Sequence, residues 1–67
     1  MDRGELLLSL MHRAHVGATE LADALNMDRS TFYRKVKNPQ ASFTMEQVIK
    51  VKNVLSLSKE NFQAIFF

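Results

Sequence analysis

Residues 19–36 read TELADALNMDRSTFYRKV. Leu21, Ala22 and Leu25 fall on one helical face, and Phe32 and Val36 fall one turn apart on another. Asn26-Met27-Asp28 separates the two patterns. Asn is the non-glycine residue that best tolerates the left-handed conformation ending a helix. Asp28 is a good N-cap: its carboxylate is expected to accept the free N–H groups of Ser30 and Thr31, and it suits the helix dipole. The stretch therefore predicts two short helices, one from Ala18 to Leu25 and one from Asp28 to Val36 or Lys37. Met27 is expected to point inward.

The second of these helices is unusual in its charge. Residues 29–37 hold Arg29, Arg34, Lys35 and Lys37 and no acid, a local charge of +4 within a chain whose net charge is +2. The remaining residues sum to −2. Charge gathered on one element suits a polyanion such as nucleic acid, although a basic helix is also an ordinary solvated face.

Outward from this pair, Leu6, Leu7, Leu10, Met11 and Ala14 predict a first helix over about residues 3–14. His15-Val16-Gly17 breaks that pattern, and Gly17 can cap the next helix. Residues 37–42 read as a loop, because Pro39 lacks the amide a helix interior needs. Thr44-Met45-Glu46-Gln47 is a capping box, with Phe43 and Val48 as its hydrophobic staple. It predicts a helix over 45–55 that buries Val48, Val51 and Leu55. Ser58 caps a last helix from 59 to about residue 66, with Phe62, Ile65 and Phe66 at helical spacing. The expectation is a single all-α domain over 1–67, a compact bundle of about five short helices.

Composition narrows the function classes. With 67 residues and no cysteine, the core must come from apolar packing without disulfide or thiolate metal ligation. The run Leu6 to Met11 is far below the roughly 20 apolar residues of a membrane span, and its acidic flank is unlike an export signal. The cytoplasm is the expected location. His12 and His15 lack a third metal ligand at any readable spacing. Ser30 and Thr31 have no base or oxyanion partner in the pattern, Glu20 and Asp23 fit a solvated face, and no glycine-rich phosphate loop occurs. The chain is therefore expected to be no enzyme and to need no cofactor or metal.

Two short helices around such a turn match the helix-turn-helix motif, here over about residues 18–37. TELADALNMDRSTFYRKV resembles the helix-turn-helix of the Cro and repressor (XRE-type) superfamily through Leu21-Ala22, Leu25, the turn, Met27 and the RST opening of the second helix. FTMEQVIKVKNVLSLSKENFQAIFF looks like the remaining helices of small phage or prophage members from Gram-positive hosts. The resemblance implies a lambda-repressor-like DNA-binding domain. It assigns base-edge contacts to Arg29, Ser30 and Arg34, with Tyr33 close enough to join them. Thr31, Lys35, Lys37 and Asn38 are better set for phosphates. Three positions depart from the pattern. Asn26 replaces the usual turn glycine, Ala18 replaces a phosphate-binding glutamine, and Lys35 stands where relatives bury an aliphatic residue, with Val36 substituting by a slight rotation.

The resemblance leaves two functions open. One is a Cro-type transcriptional regulator acting on double-stranded operator DNA, as a homodimer if it associates. The other is an antirepressor that captures a phage repressor protein. Leu8 and Ile49 lie off the main apolar stripes, and Phe66-Phe67 is an apolar pair. These four either close the core or form a self-association surface.

Overall fold

The structure, a computed structural model, describes residues 2–67. Among them the backbone forms six helices and no strand: α1 (Arg3–Arg13), α2 (Ala18–Ala24), α3 (Arg29–Val36), α4 (Pro39–Ser42), α5 (Met45–Leu55) and α6 (Lys59–Phe66).

Local chemistry starts most of these helices. Asp2 and Glu5 form a capping box on α1, with the Asp2 carboxylate 2.8 Å from the Glu5 amide and the Glu5 carboxylate 3.1 Å from the Asp2 amide. Thr44 and Gln47 do the same for α5. Asp28 and Ser58 cap α3 and α6 with side-chain oxygens, whereas Gly17 precedes α2 without a side-chain bond. Three left-handed residues redirect the chain between helices: His15 and Asn26 at φ 58° and Ser56 at φ 50°. Each ends a helix by a residue other than glycine, and Asn26 is the one whose side chain favours that conformation.

The expectation of about five helices is corrected to six. Pro39 occupies the first position of α4, where its missing N–H would have had no intrahelical partner and its fixed φ suits the helix. Proline thus begins a single turn here instead of preventing one. That turn carries the chain from α3 toward α5 and lies against α6.

One core joins α1, α2, α3, α5 and α6. Leu7, Leu21, Phe32, Val51 and Ile65 lose essentially all exposure, surrounded by Met11, Ala22, Leu25, Val36, Phe43, Val48, Leu55 and Phe66. Met27 is half-buried against this cluster. An aromatic series crosses the interior: Phe32 to Phe43 at 6.2 Å between centroids, Phe43 edge-on to Phe66 at 5.9 Å, and Phe66 to Phe62 at 5.6 Å. It joins α3 to α6 through the residue just before the α5 cap.

Gly4 is buried at the crossing of α1 and α3, where a Cβ would collide with the Val36 carbonyl oxygen. The first turn of α1 therefore lies directly on the last turn of α3. Arg3 braces the same end by donating from Nη1 to the Ala64 carbonyl of α6 at 2.6 Å.

Two substitutions test this packing by chemical denaturation. Phe32→Ala removes a fully buried ring and is expected to cost about 3–5 kcal/mol, a large part of a small domain's margin. Gly4→Ala gains about 1 kcal/mol of helix propensity. It also meets a backbone oxygen that cannot rotate away, and such overpacking costs about 1–3 kcal/mol. The expected outcome is a net loss; a higher midpoint for Gly4→Ala would refute the close α1–α3 approach.

Candidate nucleic-acid interface

Phe32 and Val36 turn one face of α3 into the core and so fix which side chains face away. Arg29, Ser30, Tyr33, Arg34 and Lys37 are exposed, whereas Thr31 and Lys35 are half-buried. At 3.6 residues per turn Arg34 stands opposite the Phe32–Val36 seam. Met27 and Leu25 anchor the turn before α3, and the Met27 amide donates to the Ala22 carbonyl at 3.0 Å. α2 and α3 are thereby packed as a pair.

Hydrogen bonds organise the amino-terminal half of α3. Asp28 accepts the Thr31 amide at 3.1 Å and the Ser30 hydroxyl at 3.0 Å. The expected bond from the Ser30 amide is replaced by one from its side chain, so Ser30 faces an incoming group mainly with its lone pairs. Arg34 donates from Nη2 to the Thr31 hydroxyl oxygen at 3.0 Å. The Asp28 carboxyl is held below its ordinary value by the Thr31 hydroxyl and amide and the Ser30 hydroxyl, helped by the Arg34 charge and opposed by slight desolvation.

The two flanks of α3 differ in character. Toward α4, Thr31, Arg34, Lys35 and Ser42 line an open cleft of about 370 Å³. Lys35 donates from Nζ to the Ser42 carbonyl at 2.7 Å and lies 6.0 Å from the centre of the Phe43 ring. Its stem lies along apolar surface while its ammonium ties α3 to the end of α4. Toward α1, Tyr33, Val36 and Lys37 share a groove with Leu8, Asp2 and Glu5. Tyr33 packs edge-on against Phe32 at 5.9 Å and keeps 44% of its surface exposed, so it serves packing and remains accessible. Lys37 and Asn38 also line a larger cleft with Arg3, Asp2, Glu60 and Phe67.

The residues assigned to bases and phosphates are thus brought together only in part. Ser30 and Arg34 share the outward side of α3, and Arg29 is exposed at its first position. Thr31 and Lys35 converge with Ser42, while Lys37 and Asn38 sit among carboxylates on the other side. Ser42 has no signal in the sequence, because its place beside Lys35 depends on α4. The α1 capping box was readable in principle, since Asp2 and Glu5 have the required spacing.

The proposed association surface is corrected at one position. Phe66 is 5% exposed and closes the core, so it cannot meet a partner without unfolding α6. Leu8, Ile49 and Phe67 remain exposed: Leu8 beside Tyr33, Phe67 in the adjoining cleft that shares Asp2, Gly4 and Lys37 with the Leu8 groove, and Ile49 one turn from Met45 on α5.

Searches of protein-family models, curated proteins and solved structures gave no match to this chain. Among the described residues no group of three His, Cys, Asp or Glu side chains is placed to hold a metal. No helix among them is long and apolar enough to cross a membrane.

The Asp28 cap makes a prediction with a definite sign. Its folded pKa lies below the unfolded value of about 3.9. Its contribution to stability is therefore complete above that value and is lost as pH falls through the lower folded value. Thermal melts between neutral and strongly acidic pH should show this loss, and Asp28→Asn should make it smaller. An acid branch unchanged by the substitution would show that the cap is not a source of the pH dependence.

Proposed function

We propose that the protein is a sequence-specific DNA-binding regulator of the Cro type, with α2 and α3 as its helix-turn-helix and α3 as the helix that enters the major groove. The observation that carries this reading is the outward face of α3. The helix is held by two buried anchors, contains Arg29, Arg34 and Lys35 and no carboxylate, and presents Arg29 and Arg34 to solvent within only eight residues. A helix end of this length fits the major groove, which is about 12 Å wide. Arg side chains suit it because a guanidinium can bond guanine O6 and N7 together. The Thr31 hydroxyl restrains Arg34 before any ligand arrives, which lowers the ordering cost of binding. The resemblance of residues 19–36 to Cro and repressor proteins supports the same assignment, and with it an origin in a phage or prophage switch.

The experiment selects a preferred duplex from a random library and measures affinity for it and for random DNA at two salt concentrations. Arg29→Ala and Arg34→Ala are each expected to cost about 1–3 kcal/mol on the preferred site and to relax one base position. Equal losses on preferred and random DNA would exclude base readout by these side chains. Negligible affinity for any duplex at low salt would overturn the DNA reading and favour capture of a repressor protein.

A further inference from the structure

Lys35 poses a physical question that the DNA reading leaves open. A lysine in the half-buried row of a short helix is costly unless its charge has a use. Its ammonium has three N–H donors, and the Ser42 carbonyl takes one. The remaining donors belong to a group that lines the cleft between α3 and α4. The other lining residues are Thr31, Arg34 and Ser42, so two cations and two hydroxyls meet there with no carboxylate in the lining. Asp28, whose carboxyl feels the Arg34 charge, already accepts from Ser30 and Thr31 and does not line the cleft. The opposite cleft, around Lys37 and Asn38, contains Asp2 and Glu60 and is a poorer host for an anion.

We propose that Lys35 and Ser42 form a clamp for one phosphodiester group of a nucleic-acid strand, with Thr31 and Arg34 at its edge. The proposal rests on the DNA-binding reading and deepens it by fixing where the backbone crosses the protein. The cleft is open to solvent, so a phosphate can reach its lining residues directly. Lys35 supplies the charge and the Ser42 hydroxyl a directional bond to a non-bridging oxygen, while Thr31, whose hydroxyl already serves Asp28 and Arg34, lines the wall of the cleft. The Ser42 carbonyl and the Phe43 ring hold the ammonium in position beforehand. A strand seated on the α3–α4 seam places the adjoining base pair beneath Arg34, so the clamp sets the register in which that guanidinium reads. Lys35 and Ser42 are positioning residues for the DNA complex, and Arg34 remains a reader of base edges.

The test compares the wild-type chain with Ser42→Ala, Lys35→Met and Lys35→Arg on the preferred duplex and on random DNA across a salt series. Ser42 makes its bonds here through backbone atoms that alanine keeps, so the first variant retains the fold. It is expected to lose about three- to tenfold in affinity on both duplexes, the effect of one hydrogen bond. Lys35→Met, with folding checked by circular dichroism, should reduce the slope of log affinity against log salt by about 0.9, and Lys35→Arg should restore it. Unchanged affinity in Ser42→Ala together with an unchanged salt slope in Lys35→Met would overturn the clamp while leaving the DNA reading intact. A loss confined to the preferred duplex would also overturn it, since a backbone contact carries no sequence preference. A wild-type chain that binds no duplex at low salt would remove both proposals.

Discussion

The burial of Phe32 is the constraint on which the rest of the molecule depends. Its side chain has no exposed surface, and it sits where α3 meets the body of the protein. From that ring the aromatic series runs through Phe43 and Phe66 to Phe62, so the orientation of α3 is coupled to the far end of the chain. Val36 adds a second anchor, and its carbonyl lies against Gly4 of α1. With both ends of its inner face held, an eight-residue helix that would be marginal alone becomes a fixed platform.

That platform carries charges that do little for the fold. Arg34 and Lys37 are three apart on a helix, a spacing at which like charges repel by a few tenths of a kcal/mol. No acid in α3 offsets them, and Asp28 at its start is occupied by Ser30 and Thr31. The surrounding structure tolerates the repulsion because Arg34 leans on Thr31 and Lys35 on the Ser42 carbonyl. Both arrangements hold cations in place without neutralising them. This is the property expected of a surface that meets a polyanion, and it is why the proposed function and the proposed clamp converge on the same helix.

The two flanks of α3 give the molecule a direction. One side is cationic and polar, with Thr31, Lys35 and Ser42. The other, with Leu8, Tyr33, Asp2 and Glu5, mixes apolar and acidic groups. Sorting the cations of residues 29–37 into outward, α4-facing and α1-facing groups changes their meaning, since Lys35 and Lys37 look equivalent in the sequence and occupy opposite sides in the fold.

The amino-acid sequence by itself determined what depends on near neighbours. Helix starts at Asp28, Thr44 and Ser58, the left-handed turn at Asn26 and the inward faces of α2, α3 and α5 all follow from spacings of a few residues. Caps and periodicity act over that range. The tertiary structure alone decided what depends on distant parts of the chain. The turn of α4 forms where Pro39 packs as a first helical residue, Gly4 matters because Val36 comes to rest on it, and Phe66 is buried because Phe43 faces it. Lys35 meets Ser42 only after α3 and α4 have folded back on each other. A site built from residues on different elements has no local spacing to announce it, since the packing of those elements fixes the distances between its atoms.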